Sequence, residues 1–209
     1  MGRIANGWIN GFSKLGIDNS KVPTAKYLNK ISNRFTGWKF IQTDEQYADP
    51  VKWNQEIYDK KMSISNFVRT PEELFYCSQP DKWHDIIGHI PWLLDPVYSR
   101  MYRDIAMLYI DAFKKGGDKM RLEVGNINWF VTEVGIIKEN GRLKAFGATL
   151  YSSSGELERA FNSKPKVCSL QKLISLPSYD RSDLQDQYFV IDSIDQVNQM
   201  VADYRRKYL

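Results

Sequence analysis

Histidine and cysteine are both scarce in this chain, with only two of each among its 209 residues. Two cysteines, Cys77 and Cys168, are too few for a disulfide framework or for a structural zinc site. No stretch reaches the roughly 18 apolar residues that a membrane span requires. The N-terminal residues carry no apolar run of the secretory type. We therefore expect a cytoplasmic protein with no membrane association.

The chain also has no large excess of charge of either sign. Lysine and arginine are interleaved with aspartate and glutamate, and the net charge is only +4. The one dense basic run, residues 205–207, is better explained as the solvated end of a helix than as a nucleic-acid site. Hydrophobic residues make up 43% of the chain. We expect a single globular domain, residues 1–209, with no nucleic-acid partner.

Apolar periodicity predicts a mainly α domain with a small β-sheet, an α+β fold. Residues 1–20 are weakly patterned, and residues 38–66 are predicted as loops around a short helical patch at 53–58. Asn140 and Gly141 lie between two apolar runs, which indicates a β-hairpin. The predicted helices cover residues 24–37, 97–113, 119–135, 152–161 and 193–204, and a further strand covers residues 188–191.

The two histidines, His84 and His89, lie within residues 84–91. Imidazole is a common ligand of transition metals, so this clustering suggests a metal site. Five residues apart on a regular helix, however, the side chains point roughly 140° away from each other. Both can bind one ion only if His84 sits at a helix entry or if the backbone breaks near Gly88 and Pro91. One capping and one core histidine is the equally supported alternative.

Glu133 is the one ionisable residue between Gly125 and Gly135, and its neighbours Phe130 and Val134 are apolar. A carboxylate on an inward helix face is costly unless it is paired, hydrogen-bonded or bound to a cation. A solvated glutamate at a helix edge is the alternative. Two neutral imidazoles and one carboxylate are, however, the facial triad of non-heme iron(II) oxygenases, which leaves coordination positions open.

Three segments in a fixed order carry a family resemblance. Residues 79–91, Gln-Pro-Asp-Lys-Trp-His-Asp-Ile-Ile-Gly-His-Ile-Pro, resemble the iron-binding signature of the pterin-dependent aromatic amino acid hydroxylases, in a form similar to bacterial members. Residues 129–135 resemble the helix with the third iron ligand, and residues 144–157 resemble the hairpin and substrate segment. The likeness is dense from residue 69 to residue 161. It implies a helical basket with a small sheet.

The resemblance implies that His84, His89 and Glu133 bind Fe(II). It also implies that a tetrahydropterin (tetrahydrobiopterin-like) and O2 serve to hydroxylate the ring of an aromatic amino acid, most simply phenylalanine. Asp85 matches a catalytic acid near the pterin and the iron-bound waters. Arg69 matches the arginine that clamps the amino-acid carboxylate. The other implied substrate-binding residues are Cys77, Pro80, Trp129, Thr149, Ser152 and Glu156, and the implied cofactor-binding residues are Trp53, Asp85 and Asn128.

The chain departs from the family pattern at several positions. Cys77 replaces a threonine, Thr149 replaces a glycine beside the substrate ring, and Asn128 replaces a tyrosine. Residues 42–50 replace the usual pterin loop. Three functions stay open: the pterin-dependent hydroxylase, a related iron oxygenase with another substrate, ring position or reductant, and a catalytically silent protein that binds an aromatic metabolite. Without the regulatory and tetramerisation extensions of animal members, we expect a monomer.

Overall fold

The computed structural model describes residues 2–17, 21–45 and 49–209, and this part of the chain is mainly helical with two small sheets. The predicted fold class is therefore confirmed. The helices are α1 (Asn6–Leu15), α2 (Ala25–Ser32), α3 (Pro50–Tyr58), α4 (Ile90–Leu93), α5 (Pro96–Asn128), α6 (Thr149–Ser152), α7 (Ser154–Asn162), α8 (Leu170–Ile174) and α9 (Ile194–Tyr208). The strands are β1 (Lys39–Thr43), β2 (Lys61–Ser65), β3 (Ile136–Glu139), β4 (Arg142–Ala145), β5 (Lys166–Val167) and β6 (Phe189–Ile191).

The larger sheet has the strand order β4-β3-β6-β5, in which β3 and β4 form the predicted hairpin. Asn140 and Gly141 have φ angles of 50° and 75°, as a tight turn between twisted strands requires. Strand β6 pairs in parallel with both β3 and β5. This sheet closes one side of the helical body.

The smaller sheet corrects the prediction of loops in residues 38–66. Strands β1 and β2 pair in parallel, with Phe40 opposite Met62, and α3 connects them. In β1 only Phe40 is fully buried, and Ile41 is 51% exposed. The alternation that identifies a half-buried strand is therefore too weak in β1 to be read from sequence.

Helix α5 forms the centre of the core, where Met101, Ile105 and Leu108 are fully buried. The helix is kinked at Gly116 and at Gly117, whose φ of 60° is left-handed. The predicted division into two helical stretches at these glycines is confirmed. Among the described residues, no helix is both long and apolar enough to cross a membrane.

Two further helix predictions need correction. Thr24 caps α2 by accepting a hydrogen bond from the backbone N–H of Tyr27, as predicted, but α2 ends at Ser32 rather than near Gly37. The carbonyl of Ser32 accepts from Thr36 and from Gly37, which closes a turn there. Helix α1 forms in the weakly patterned N-terminal segment, because tertiary packing supplies most of the stability of short helices.

Helix α1 lies against α4, the helical turn that follows the histidine segment. Gly11 is buried at this contact, where a Cβ atom would overlap the carbonyl group of Pro91. The approach is therefore backbone to backbone, and neither partner is a flexible side chain.

We predict that Gly11→Ala destabilises the protein by about 1–3 kcal/mol, because the added methyl group forces the backbones of α1 and α4 apart. Urea denaturation followed by circular dichroism measures the loss. Asn10→Ala, at an exposed position of the same helix, is the control and should change the free energy of unfolding by less than about 0.5 kcal/mol. Equal stability of the two variants would show that the close approach is wrong.

Candidate metal centre and active site

The two histidines lie on one continuous helical run rather than on either side of a break. Residues 82–93 are helical, and His84–His89 is wound as a π-helix. The i→i+5 hydrogen bonding of a π-helix widens the turn, so that side chains five residues apart lie nearly above one another. The Nε2 atoms of His84 and His89 are 3.1 Å apart. The expected break near Gly88 is thus corrected to a widened turn.

Gly88 and Pro91 do not break the helix, and each affects this segment in a different way. A Cβ atom at residue 88 would lie 2.8 Å from the carbonyl oxygen of Ala148, so Gly88 allows close packing against the neighbouring segment. Pro91 has no N–H to donate to the carbonyl of Ile87, four residues earlier. The indole N–H of Trp8 donates to that carbonyl at 2.8 Å. Helix α1 thereby satisfies the acceptor that Pro91 leaves free.

Glu133 reaches the histidines from a second π-helix, Trp129–Glu133, at the end of α5. Its Oε2 lies 3.5 Å from Nε2 of His84, and its Oε1 lies 3.5 Å from Nε2 of His89. The three ligand atoms lie within 4.8 Å of one another, and all three residues are buried. At residue 147 a Cβ atom would overlap the backbone of Glu133, so Gly147 permits this approach.

The electrostatics of these groups suit a divalent cation. Burial, followed by the charge of Arg69, lowers the pKa of His84 to about 4, and burial lowers the pKa of His89 well below its ordinary value. Both imidazoles are therefore neutral, as metal ligation requires. Burial and the nearby Asp85 raise the pKa of Glu133 to about 8. A cation bound between the three groups would favour the ionised carboxylate, and this donor set fits Fe(II).

Hydrogen bonds orient the first ligand. The Nδ1 atom of His84 is 2.9 Å from Oγ of Ser152, which directs Nε2 towards Glu133. Asp81, which is fully buried, accepts from the backbone N–H of His84 at 2.8 Å. It also pairs with the guanidinium of Arg69 at 2.7 Å. Arg69 in turn donates to the carbonyl of Ser152 at 2.6 Å. Asp81 therefore connects the predicted substrate clamp to the metal ligand.

A cavity of about 410 Å³ opens onto the three ligands. One wall is formed by Trp53, Thr43 and Ser65 from the β1-α3-β2 region. The predicted site residues that line the cavity are His84, His89, Glu133, Asp85, Arg69, Cys77, Pro80, Trp129, Thr149, Ser152, Trp53 and Asn128. The volume is that of an ordinary small-molecule site.

Glu156 is placed differently from the other predicted substrate residues. It is fully buried and does not line the cavity. Its carboxylate accepts from the backbone N–H of Gln185 at 3.0 Å and from the hydroxyl of Tyr188. These bonds use both carboxylate oxygens, so in this structure Glu156 holds residues 185 and 188 instead of reaching a ligand directly.

Three residues that depart from the family pattern, Cys77, Thr149 and Asn128, form hydrogen bonds in the structure. The Cys77 thiol donates to the carbonyl of Gln79 at 3.3 Å, and burial raises its pKa. The Thr149 hydroxyl lies 3.4 Å from Oε2 of Glu133, within reach of the metal ligand. The hydroxyl of Thr132 donates to the carbonyl and side-chain oxygens of Asn128.

Asp85 and Trp53, the residues proposed to bind the cofactor, also line the cavity. The Asp85 carboxylate accepts from the backbone N–H of Ser65 at 2.7 Å, and burial raises its pKa to about 7. Trp53 packs edge-on against Tyr102 at a centroid distance of 6.2 Å. Within the segment 42–50, residues 46–48 lie outside the described residues, so the expectation for that loop stays a prediction.

The sequence reasoning missed Asp81 as a separate site residue, although it lies in the quoted signature. It also missed Tyr179 and Gln185. The Tyr179 ring stacks on Trp129 at 4.6 Å, and Gln185 accepts from the indole N–H of Trp129 at 3.0 Å. No local pattern marks these two residues, because Tyr179 reaches the cavity, and Gln185 reaches Trp129, only through tertiary folding.

Sequence comparison identifies relatives that align with nearly all of this chain. The profile of the family described as biopterin-dependent aromatic amino acid hydroxylase matches residues 13–208. A phenylalanine-4-hydroxylase of Ralstonia nicotianae is 30% identical over 203 residues, which are 94% of this chain and 62% of the relative. A chloroplastic phenylalanine 4-monooxygenase of Pinus taeda is 28% identical over 95% of this chain and 55% of its own length. The chain thus spans somewhat more than half the length of these relatives.

Structure comparison supports the same fold. The crystal structure of Chromobacterium violaceum phenylalanine hydroxylase with bound iron(III) and oxidized 7,8-dihydrobiopterin superposes with a TM-score of 0.87 at 24% identity. The match covers 100% of this chain and 74% of that one. Because the family profile spans nearly the entire sequence, the chain belongs to the biopterin-dependent aromatic amino acid hydroxylase family.

Proposed function

We propose that the protein is an Fe(II)- and tetrahydropterin-dependent monooxygenase that uses O2 to hydroxylate the ring of an aromatic amino acid, with phenylalanine as the first candidate. The observation that carries this proposal is the convergence of His84, His89 and Glu133 in one buried cavity. The names of the bacterial and plant relatives, and the iron and dihydrobiopterin bound by the Chromobacterium violaceum enzyme, support it.

His84, His89 and Glu133 would hold the iron, and bound iron supplies the activation of dioxygen that amino-acid side chains cannot perform. The protein contributes orientation and water exclusion. Ser152 fixes the ring of His84, and the burial of both imidazoles keeps them neutral. A bound substrate that displaces water from the cavity would strengthen the polar contacts with the reactants.

The substrate is proposed to lie against the wall that contains Arg69, Pro80 and Trp129. The indole of Trp129 offers a flat apolar face to an aromatic ring. The Arg69 guanidinium is already paired with Asp81, and its buried Nε has no hydrogen-bond partner in the described part of the chain. The Arg69 side chain lines the cavity, so its positive charge would attract a substrate carboxylate placed there.

The tetrahydropterin is proposed to lie against the opposite wall, beside Trp53 and Asp85. An aromatic face and a buried carboxylate whose pKa is near 7 suit a flat, polar heterocycle. The replaced 42–50 segment favours a second candidate, an iron oxygenase of the same fold that uses another reductant. The Thr149 hydroxyl beside Glu133 similarly motivates a different ring position or a catalytically silent binding protein.

In the presence of tetrahydrobiopterin and O2, the iron-loaded protein is predicted to hydroxylate at least one aromatic amino acid. The product should be heavier by the mass of one oxygen atom, about 16 mass units. L-Phenylalanine, L-tyrosine and L-tryptophan are supplied separately, and the ring position is read by mass spectrometry and NMR. Equal turnover without pterin would favour the second candidate. Tight binding of an amino acid without oxygen consumption would favour the silent binding protein.

His89→Ala is predicted to weaken Fe(II) binding by at least about 100-fold, because loss of an outer-shell partner alone costs 10- to 100-fold. Activity should be lost while the circular dichroism spectrum is retained. Metal content after gel filtration and Co(II) absorption spectra measure the effect. Thr132→Val is the control, since the hydroxyl of this buried neighbour of Glu133 donates to Asn128 and not to a metal ligand. Wild-type metal content in His89→Ala would refute the ligand assignment.

Trp53→Ala is predicted to raise the KM for tetrahydrobiopterin about tenfold, because one aromatic stacking contact contributes about 0.5–1.5 kcal/mol. The KM for the amino acid should change far less, and Trp53→Phe should recover most of the loss. Trp83→Ala, at a 47% exposed tryptophan outside the cavity, is the matched control. An unchanged pterin KM in Trp53→Ala would remove Trp53 from the cofactor site.

The single domain, the monomeric state and the cytoplasmic location stay predictions, as does the expectation that neither a membrane nor a nucleic acid is a partner. Sedimentation analysis of the iron-loaded protein tests the monomer directly.

A further inference from the structure

Residues 177–188 cross the cavity without forming a helix or a strand. We call this segment the cavity loop. It places Ser178, Tyr179 and Arg181 on the cavity surface. Loops longer than about 12–15 residues are uncommon inside compact domains and are usually functional or disordered, and the cavity loop lies at the lower end of that range. The cavity loop has fixed contacts, which indicates a functional segment.

One buried glutamine organises the cavity loop. Gln185 is only 7% exposed. Its amide group donates to the carbonyl of Asp183 at 3.2 Å and to that of Asp180, which folds the loop back on itself. Its amide oxygen accepts from the indole N–H of Trp129 at 3.0 Å. A single side chain therefore ties the loop to the cavity wall.

Further bonds fix the cavity loop at residues 181, 185 and 188. Glu156 accepts from the backbone N–H of Gln185 at 3.0 Å and from the hydroxyl of Tyr188. The Tyr76 hydroxyl donates to the carbonyl of Arg181 at 2.6 Å. These anchors hold the loop backbone, whereas Gln185 alone among them also contacts Trp129.

The contact with Trp129 matters because Tyr179 lies in the same loop. The rings of Trp129 and Tyr179 stack with centroids 4.6 Å apart and an interplanar angle of 4°. Gln185 thus holds one ring directly and the other through the loop backbone. Together the two rings make a rigid aromatic surface beside the metal ligands.

We propose that Gln185 is a positioning residue that sets the placement of the Trp129–Tyr179 ring pair and, through it, the affinity for the aromatic substrate. The inference rests on the proposed function, because it takes the ligand to be an aromatic amino acid. The hydrogen-bond partners of Gln185 in the described part of the chain are Trp129, Glu156, Asp180 and Asp183, and none of them is a metal ligand. Its effect falls on substrate binding and leaves the metal site unchanged.

Gln185→Met tests the inference, because methionine has a similar length and lacks both amide hydrogen-bonding groups. We expect faster hydrogen–deuterium exchange at residues 178–184 in this variant. The KM for L-phenylalanine should rise about tenfold, whereas kcat and the Fe(II) affinity should stay within about twofold of wild type. The matched control is Gln187→Met in the same loop, since Gln187 bonds Lys166 at 2.7 Å and does not line the cavity. Wild-type exchange and KM in Gln185→Met would overturn the proposal.

Trp129→Phe supplies a second, milder variant that removes the indole N–H but keeps an aromatic ring. In this background, Gln185→Met should raise the KM by clearly less than in the wild-type background, because the hydrogen bond to Trp129 is already lost and only those to Asp180 and Asp183 remain to be removed. Independent, multiplicative effects would refute the coupling. If Gln185→Met did not fold, faster exchange at residues 178–184 in Trp129→Phe would support the proposal, and wild-type exchange would overturn it.

The same measurements separate this inference from the proposed function. If the wild-type iron protein turned over neither L-phenylalanine, L-tyrosine nor L-tryptophan, the proposed activity would fail. The exchange comparison needs no ligand and would still decide whether Gln185 positions the cavity loop.

Discussion

The site depends on a single geometric constraint, which is that two imidazoles five residues apart must face the same point. A regular α-helix separates their directions, whereas the π-helical winding of residues 84–89 aligns them. A π-helical turn is uncommon because its hydrogen-bond geometry is poorer than that of an α-helix. It persists here because tertiary contacts secure it, including the indole N–H of Trp8 on the carbonyl of Ile87.

Glu133 comes from a second π-helical turn, and the segment formed by residues 147–152 braces both turns. Gly88 packs on the carbonyl of Ala148, and Gly147 packs on the backbone of Glu133. In the same segment, Ser152 lies within hydrogen-bond distance of His84. One short stretch of chain therefore packs against the backbone or side chains of both ligand-bearing turns.

Buried polar groups around the cavity are linked in two separate networks. On one side Asp81 joins Arg69 to the backbone of His84, so the substrate clamp and the first ligand share a partner. On the other side Glu156 and Gln185 join the cavity loop to Trp129. Removing one member of such a network leaves its partner buried without a hydrogen bond, and an unsatisfied buried charge or amide lowers the stability of the folded protein. This arrangement favours a fixed cavity shape.

Much of the architecture could be predicted from sequence because its signals are local. The Asn140–Gly141 hairpin, the division of α5 at Gly116 and Gly117 and the Thr24 cap each depend on backbone preferences of the residues involved. By contrast, β1 was missed because a single deeply buried residue gives it almost no periodicity. Strand β2 does alternate, with Met62 and Ile64 buried, so the loop prediction overlooked a strand signal in its five residues.

The sequence by itself determined the candidate donors, since both histidines lie within residues 84–91 and the family resemblance implies Glu133 as the third ligand. Only the tertiary structure decided how those donors meet, because π-helical winding is stabilised by Trp8 and by the 147–152 segment, far away in sequence. It also decided that Glu156 faces Gln185 and Tyr188 rather than the cavity. Side-chain direction in a buried network depends on partners that the chain brings together only when it folds.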